Sequence, residues 1–393
     1  MSSTTFLVTV SGPDRVGVGA ELFAALTSLE TRGIEITDVA QITIRGALVL
    51  CAEVSSRNAV SRTSVEEALA SRNIVSGGIT ATVEEVTPSD LSHGRRLLVT
   101  FLAPRIGATQ LQGVFAAIAA SGSTCERIVH LASYPVDCYE LVVHGPDHGL
   151  LREALVDVAA ATGLDLAVQR AGLHRRAKHL VVMDADSTLL QDEVIDLLAE
   201  ECGCAAEVSA ITELAMSGEI DFAEALRRRV ALLAGLPATV LDDVRARLRL
   251  APGARTLLRT LQRLGYVAAV VSGGFEEVLA PLMSDLKVEH LAANRLEIVD
   301  EKLTGLLVGE IVDRAGKANA LRRFADEVGV PLEQTVAVGD GANDIDMLSS
   351  AGLGIAFNAK PVVQEHADTH LTVPYLDAVL YFLGISREEI ETV

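Results

Sequence analysis

Hydrophobic and polar positions follow the same order twice along the first half of the chain. Each copy has the pattern strand, helix, strand, strand, helix, strand. In the first copy, the apolar stripe from Ala20 to Leu29 has helical spacing, and two long runs flank Arg45-Gly46 as in a hairpin. The pattern predicts two βαββαβ modules, at residues 1–87 and 95–172. The predicted strands are 6–10, 34–44, 47–54, 79–83, 97–101, 128–131, 139–144 and 164–169, and the predicted helices are 20–29, 64–70, 110–120 and 150–161.

The pattern changes at residue 179. The apolar run from His179 to Met183 is typical of a buried parallel strand. A helical stretch of about 192–248 follows, and strands then alternate with helices to the end of the chain. This order predicts, for 179–393, an α/β fold: a doubly wound, Rossmann-like parallel sheet with a helical cap inserted after its first strand. The later predicted elements are a strand at 267–271, a helix from 275, a hairpin at 288–307, a helix at 317–327, a strand at 336–338 and a helix from 343.

Composition restricts the possible partners. The chain has 393 residues and a formal net charge of −20, which argues against nucleic acid as a partner because its phosphates would be repelled. An anionic substrate must therefore be attracted by a local positive charge. The first ten residues lack the features of a signal peptide and no apolar run reaches 18 residues, so we expect a cytoplasmic protein that does not enter a membrane. The five cysteines do not suggest a disulfide framework, and we interpret Cys202-Gly203-Cys204 as helix and turn residues.

Carboxylates follow two of the predicted strands. Asp184 and Asp186 come directly after the first apolar run, and Asp340 and Asp344 come after the run Val336 to Val338. Ligands bind beyond the carboxyl ends of the strands in such sheets. Four carboxylates placed there would repel one another unless a cation and a basic residue joined them. Their hard oxygen ligands suit Mg²⁺, so the sequence predicts a magnesium-dependent phosphoryl-transfer site.

Each residue type suggests a role in that chemistry. Asp184, at the strand end, can attack phosphorus, and Asp186 can donate a proton to the leaving oxygen and later accept one from water. Ser272 and Gly273 follow another strand, where a hydroxyl and exposed amides suit phosphate oxygens. Lys317, at the start of a predicted helix, would offset the charge of the phosphate and of the nucleophile.

The ordered set Asp184-Ala185-Asp186-Ser187-Thr188, Ser272, Lys317 and Gly339-Asp340-Gly341-Ala342-Asn343-Asp344 resembles the four motifs of the haloacid dehalogenase superfamily. The resemblance covers residues 179 to about 380. It implies that Asp184 becomes an aspartyl-phosphate and that Asp186 is the acid and base. It also implies a Mg²⁺ ion held by Asp184, the backbone carbonyl of Asp186 and Asp340, with Asp344 beside these ligands.

Residues of the predicted cap indicate the class of substrate. Phe222 and Arg229 are seven residues apart and share a helix face. Glu193 and Arg229 opposed across a small pocket could bind an amine and a carboxylate together, since arginine matches a carboxylate with two hydrogen bonds. Glu193, Met216, Phe222 and Arg229 resemble the pattern of the phosphoserine phosphatase family. That resemblance implies O-phosphoserine as substrate, L-serine as product, a place in the last step of serine synthesis, and a substrate contact by Asn343.

The two N-terminal modules resemble ACT domains, which often bind amino acids at subunit interfaces. The first matches the family's Asp-Arg-x-Gly turn at Asp14, Arg15 and Gly17, whereas the second keeps only Arg105 and Gly107 after a proline. The resemblance implies effector binding near Asp14, Gly17 and Gly107. We expect serine to be the effector and the chain to be a homodimer or larger homo-oligomer through these modules. The alternative is that both modules are purely structural.

Three other functions stay open from the sequence. The chain could be a phosphatase of the same superfamily that acts on another small phosphomonoester. It could be a phosphotransferase that uses the same aspartyl-phosphate, because the sequence does not show which hydroxyl accepts the phosphate. It could also be a regulatory or binding protein on an inactive phosphatase scaffold, although the set Asp184, Asp186, Lys317 and Asp340 argues against this.

Overall fold

The computed structural model describes residues 4–56, 60–72, 74–87, 95–145, 148–172, 175 and 177–392. The chain divides into two compact units, with the division between residues 93 and 94. The sequence predicted three domains, but the second module and the α/β region lie in one unit.

The first unit is a four-stranded antiparallel sheet with two helices on one face. The spatial order of its strands is β2-β3-β1-β4. Alternate residues of β1 (Phe6, Val8 and Val10) point into a core that includes Leu22 and Leu26 of α1. The period-two alternation of β1 and the helical stripe of α1 therefore meet in one core, as the sequence predicted. The elements are β1 (Thr4–Pro13), α1 (Val18–Glu30), β2 (Ile34–Ile44), β3 (Ala47–Ser56), α2 (Arg62–Ser71) and β4 (Thr80–Val86).

The second module repeats this topology. Its strand order is β6-β7-β5-β8, and all its pairs are antiparallel. Leu97, Val99 and Phe101 of its first strand pack against its helices. The prediction of two βαββαβ modules is confirmed. The elements are β5 (Arg95–Ala103), α3 (Ala108–Ala120), β6 (Thr124–Ala132), β7 (Asp137–Gly145), α4 (His148–Thr162) and β8 (Asp165–Arg170).

The two modules differ in what covers the sheet face away from their helices. In the first unit, the edge strand β2 is exposed at every residue after Ile34. In the second module, Leu98, Thr100 and Leu102 of β5 are buried, and Leu102 belongs to the core of the α/β region. The carboxylate of Asp165 accepts hydrogen bonds from the Thr372 amide at 2.8 Å and from its hydroxyl at 3.0 Å. This shared core explains why the second module and the α/β region form one unit.

The α/β region is built on a seven-stranded sheet in the order β12-β11-β10-β9-β13-β14-β15. Only the β11–β12 pair is antiparallel. Strand β9 lies between β10 and β13, so three strand ends meet at the middle of one sheet edge. The doubly wound fold is confirmed. Its strands are β9 (Leu180–Met183), β10 (Val267–Phe275), β11 (His290–Val299), β12 (Lys302–Val308), β13 (Thr335–Gly339), β14 (Gly354–Phe357) and β15 (Thr369–Leu371).

Four helices form the cap between β9 and the rest of the sheet. The bridge between Leu190 and Leu250 joins the two ends of this insertion. The predicted stretch of 192–248 is helical but interrupted, first at Gly203, whose φ of 70° ends a helix. The cap helices are α5 (Val194–Cys202), α6 (Ala205–Met216), α7 (Phe222–Ala231) and α8 (Val240–Arg247). The remaining helices are α9 (Ala254–Arg263), α10 (Glu276–Asp285), α11 (Arg314–Val328), α12 (Ile345–Ser350), α13 (Pro361–Gln364), α14 (Val379–Phe382) and α15 (Arg387–Thr392).

Two further expectations have structural outcomes. Cys202 and Cys204 form a disulfide across the turn between α5 and α6, so their interpretation as plain helix and turn residues is wrong. Cys51, Cys125 and Cys138 are free thiols. None of the helices in the described ranges has both the length and the apolar character needed to span a bilayer.

Candidate active site

The central strand delivers the first aspartate to the sheet edge. Met183 pairs with Val270 of β10 on one side and with Val338 of β13 on the other. Asp184 follows directly, and its amide donates to the Val338 carbonyl at 2.9 Å. The chain then reverses through Ser187, whose φ of 57° is unusual for a residue with a side chain. This turn holds Asp184 and Asp186 at the same strand end.

A buried lysine joins two of the aspartates. The Nζ of Lys317 lies 2.6 Å from Asp184 Oδ2 and 2.7 Å from Asp344 Oδ1, and its side chain is fully buried. Lys317 is in the first turn of α11, which Asp313 caps by accepting the Gly316 amide. Burial alone would lower the pKa of Lys317, but the two carboxylates raise it above its ordinary value. The lysine therefore stays charged where both carboxylates need a cation.

The first aspartate is in an environment that opposes its charge. Burial and the nearby charge of Asp344 raise the pKa of Asp184 well above its ordinary value, while Lys317 opposes that shift. Three carboxyl groups, those of Asp184, Asp340 and Asp344, offer oxygens that all lie within 4.8 Å of one another. Such a cluster is stabilised by a further cation.

Asp186 has a separate set of partners. Its carboxylate accepts the Val194 amide at 3.0 Å and the Ser272 hydroxyl at 3.3 Å. Burial, and then the charge of Glu193, raises the pKa of Asp186 to about 7. Because that pKa is near neutral pH, Asp186 can both donate and accept a proton there.

Asp340 and Asp344 differ in their hydrogen-bond partners. Asp340 accepts the Thr188 hydroxyl at 2.7 Å, and burial raises the pKa of Asp340 to about 6. Both oxygens of Asp344 are already bonded, one to Lys317 and the other to the Gly341 amide at 2.9 Å. Asp340 is therefore the better candidate for a metal ligand, in agreement with the sequence prediction.

A cavity of about 190 Å³ opens onto these groups. Its volume suits a small metabolite. Of the predicted site residues, it is lined by Asp184, Asp186, Glu193, Phe222, Arg229, Gly273, Asp340 and Asn343, and its other lining residues are Ile195, Leu226, Gly274 and Gly341.

Four residues of the predicted active site lie outside that lining: Asp344, described above, and Ser272, Lys317 and Met216. Ser272 and Lys317 are fully buried behind it and contact Asp186 and Asp184 respectively. Met216, at the end of α6, is 67% exposed, so its predicted substrate contact is absent from this structure. The distance of Met216 from the cavity depends on the position of the cap, and spacing along the sequence does not show that position.

The cap supplies opposite charges to the cavity. Arg229 is partly buried, and burial lowers its pKa while the charges of Asp196, Glu193 and Asp186 oppose this shift. Glu193 is exposed and accepts the Ser187 hydroxyl at 2.7 Å. Neighbouring Arg228 is exposed and pairs with Glu224, as expected of a surface residue.

Asn294 is a site residue that sequence reasoning missed. It lies on β11 and is buried, its amide donates to the Gly273 carbonyl at 2.8 Å, and its Oδ1 accepts the Val312 amide at 2.8 Å. It therefore holds the backbone of the Ser272–Gly274 segment, which belongs to β10, whereas the sequence predicted that this strand ends at residue 271. A polar residue in a predicted hairpin gave no signal of this contact. Ile195 and Leu226 were missed because apolar positions on cap helices are indistinguishable from core positions.

The glycine turns of the two ACT-like modules differ in their surroundings. Gly17 precedes α1 with a φ of 97°, and the space where a side chain would start is open. The neighbouring Asp14 side chain is exposed. In the second module, the Gly107 amide donates to Gln110 Oε1 at 2.8 Å, and the Ile106 amide donates to Asp137 at 3.0 Å. In this structure the backbone amides of Ile106 and Gly107 are thus bonded to side chains of their own module, and the effector role of Gly107 stays a prediction.

Comparison with known proteins agrees with this geometry. Residues 181–349 match a haloacid dehalogenase-like hydrolase model, and residues 4–75 and 97–169 each match an ACT domain model. A phosphoserine phosphatase from Streptomyces coelicolor is 51% identical, over 98% of this chain and 94% of the relative. One from Mycobacterium tuberculosis is 48% identical, over 99% of this chain and 95% of the relative. The solved structure of a phospho-aspartyl intermediate analogue of phosphoserine phosphatase is 42% identical with a TM-score of 0.50, and covers 52% of this chain and 98% of that chain.

The fold and the aspartate cluster thus define a haloacid dehalogenase-like hydrolase that carries two ACT domains. Its similarity to phosphoserine phosphatases over nearly the full chain identifies it as a phosphoric monoester hydrolase. Within that class, the chain belongs to the phosphoserine phosphatase family.

Replacing Lys317 with methionine should destabilise the metal-free protein at pH 8 by about 3–5 kcal/mol, because two buried carboxylates lose their cation. The deficit should shrink as the pH falls. The pKa of Asp184 is raised in the folded protein, so as the pH falls Asp184 is protonated in the folded state before it is protonated in the unfolded state. This protonation removes the unpaired charge that the variant leaves buried. Urea unfolding of wild type and Lys317→Met at pH 8 and pH 5, with a chelator present, measures both effects. Exposed Lys302→Met is the matched control, and equal stability of all three proteins at pH 8 would contradict the expectation.

Proposed function

We propose that this enzyme hydrolyses O-phospho-L-serine to L-serine and phosphate through an aspartyl-phosphate on Asp184, as the last step of L-serine biosynthesis. The observation that carries the proposal is the small cavity between Asp184 and Arg229. It combines a buried nucleophile with opposite charges on the cap.

The residues divide the reaction into two steps. An oxygen of Asp184 attacks phosphorus, the bond from phosphorus to the serine oxygen breaks, and Asp186 gives its proton to that oxygen. Water then attacks the aspartyl-phosphate, Asp186 takes the water's proton, and the bond from Asp184 to phosphorus breaks. The pKa of Asp186, about 7, suits both directions of transfer. The relative solved as a phospho-aspartyl intermediate analogue supports the same intermediate for this chain.

The oxygen donors at the strand ends fit a hard divalent cation. Asp184 and Asp340, with the backbone carbonyl of Asp186, would hold Mg²⁺. Burial raises the pKa of both carboxyl groups, which is the repulsive, desolvated arrangement that a cation relieves. When bound, the ion would offset the negative charge of the phosphate. Lys317 opposes the rise in the pKa of Asp184 and so favours its charged form, and Asn294 keeps the Gly273 backbone in place for the phosphate oxygens.

The cap residues account for the choice of phosphoserine. Arg229 suits the substrate carboxylate because a guanidinium group is positively charged at neutral pH, and a partly buried guanidinium gains more from a partner than an exposed one. Glu193 suits the amine. Phe222, Ile195 and Leu226 supply apolar contacts around the short carbon chain.

The N-terminal half supports regulation by the product. We assign the effector site to the first module, because its Asp14–Gly17 turn is open while the second turn is closed by Gln110 and Asp137. Serine is the proposed effector, and pairing of modules between copies would make a homodimer or larger oligomer. The proposed location is the cytoplasm.

Asp184→Asn should abolish turnover, since a neutral amide does not attack phosphorus. Asp186→Asn should lower phosphoserine turnover by on the order of 10²–10⁴-fold, through loss of proton transfer. With p-nitrophenyl phosphate, whose leaving group needs no proton, the burst of p-nitrophenol from Asp186→Asn should largely recover. Rapid-mixing absorbance measures that burst. Hydrolysis by Asp184→Asn at the wild-type rate, or no recovery by Asp186→Asn, would refute the two assignments.

Phosphate release from a panel of phosphorylated metabolites tests the substrate. Wild type should prefer phosphoserine and should require Mg²⁺. Arg229→Ala should lower kcat/KM for phosphoserine by about 2–5 kcal/mol in transition-state free energy, because a partly buried charge loses its partner. It should change p-nitrophenyl phosphate hydrolysis much less. Arg228→Ala, on the exposed face of the same helix, is the control. Equal losses on both substrates would mean that Arg229 acts structurally, and preference for another phosphomonoester would refute the proposed substrate.

Serine inhibition tests the regulatory module. Gly17→Val, with a φ of 97° at that position, would strain the backbone, so Asp14→Ala is the cleaner variant. Asp14→Ala should raise the serine concentration that gives half-inhibition without changing basal turnover. Gly107→Ala should leave inhibition unchanged, because its backbone is extended and its amide is already bonded. If serine inhibits every variant in a purely competitive manner against phosphoserine, serine binds at the active site instead.

A further inference from the structure

A row of arginines runs along one face of α9. Arg255, Arg259 and Arg263 are four residues apart, so they lie on the same side of the helix, and their Cα atoms span about 12 Å. Strand β10 starts at Val267 beside this row and reaches the catalytic cavity only near Gly273, about 20 Å further along. The row is therefore at the opposite end of the sheet from the aspartate cluster.

The arginines line a groove with Lys287. Two cavities, of about 620 Å³ and about 330 Å³, share Arg259, Gln262 and Lys287 as lining residues. We refer to these two adjoining cavities together as the α9 groove. The amide of Gln262 donates to the carbonyls of Leu286 at 2.9 Å and Lys287 at 3.0 Å, which ties α9 to the turn after α10. The groove is therefore held by contacts between two elements.

The charges of the groove have no protein partner. Across the described residues, none of the three α9 arginines forms an ion pair, and neither does Lys287. In contrast, Arg245, Arg247 and Arg249, just upstream, each pair with acidic residues. Helix α9 contains no acidic residue, in a chain of net charge −20. Two acids, Asp285 and Glu289, also line the groove, so four positive charges exceed two negative ones.

Helix stability does not explain the row. Arg255 lies in the first turn of α9, where the positive end of the helix dipole disfavours a cation. Repulsion along the row adds to that cost, since like charges four residues apart destabilise a helix. An anion bound in the groove would reverse both effects.

We propose that the α9 groove binds an oligophosphate, meaning an anion of three linked phosphate groups, from a nucleoside triphosphate or from inorganic triphosphate. The groove volume is in the range of about 300–1,000 Å³ that small-molecule sites occupy. Arginine forks match phosphate oxygens, and the long side chains of several arginines on one helix face can converge on one polyanion. Half-buried Tyr266 lines the groove just after Arg263 and offers an aromatic surface to a base.

Titration calorimetry on the full chain without added Mg²⁺ tests the proposal, with ATP, inorganic triphosphate and adenosine as probes. Wild type should bind one ATP per chain. The double variant Arg255→Glu with Arg259→Glu should lose roughly tenfold in affinity for each arginine. Arg322→Glu with Arg323→Glu, which reverses two exposed charges on α11, is the matched control and should bind as wild type. Arg229→Ala should also bind as wild type, because the site is separate from the catalytic cavity. Circular dichroism confirms that each variant is folded.

The probes distinguish the source of the anion. Inorganic triphosphate that binds as tightly as ATP would support the proposal and show that the groove reads phosphates alone. Tighter binding of ATP, lost in part in Tyr266→Ala, would support it and assign the nucleoside to Tyr266. No binding of either triphosphate at millimolar concentration would overturn the proposal. Equal losses in the α9 and α11 variants, loss in Arg229→Ala, or binding of adenosine as tight as that of ATP would also overturn it.

Discussion

The site depends on one buried interaction, the contact of Lys317 with Asp184 and Asp344. The strand ends bring carboxylates into a buried space, where their mutual repulsion is stronger than at the surface. A fully buried ammonium group within 2.7 Å of both makes that placement stable. This contact depends on the order of the strands around β9, which sets the positions of the carboxylates. It also depends on the position of α11 and on the Asp313 cap, which set the position of the lysine.

The same cluster separates the aspartates by environment. Asp344 has both oxygens bonded within the protein, so it anchors the lysine and the Gly341 turn. Asp184 and Asp340 line the cavity, whereas Asp344 does not. Asp186 is held beside the start of α5, with a pKa of about 7 caused by burial and by Glu193. Four residues of one type thus differ in their partners and in their access to the cavity, which is what a reaction with a nucleophile, an acid and a metal requires.

The two ACT domains show how one topology can have two surroundings. The outer sheet face of the second is buried against the α/β region, with Leu102 in the shared core and Asp165 bonded to Thr372. The edge strand of the first is exposed. The second domain thus shares a core with the α/β region, and its Gly107 amide is bonded to Gln110. The first keeps an open turn at Gly17.

Much of the fold could be predicted because local patterns carry it. Period-two runs, helical stripes and the hairpin around Arg45-Gly46 follow from steric and hydrophobic rules that act over a few residues. Asp184, Asp186 and Asp340 were predictable because strand ends in such sheets meet at one edge. The bounds of the elements extended beyond the predictions, since pairing and packing continue past the strongest part of each pattern.

The sequence by itself thus determined the two βαββαβ modules, the doubly wound sheet and the types of group at its edge. Only the tertiary structure decided that Ser272 and Lys317 lie behind the cavity and that Met216 is outside it. It also decided that Asn294 holds the Gly273 backbone. These facts depend on contacts between residues far apart in the chain, on burial and on the position of the cap. Spacing along the chain determines which residues share a helix or strand. It does not determine which elements contact one another, or whether a side chain lines the cavity or lies behind the lining.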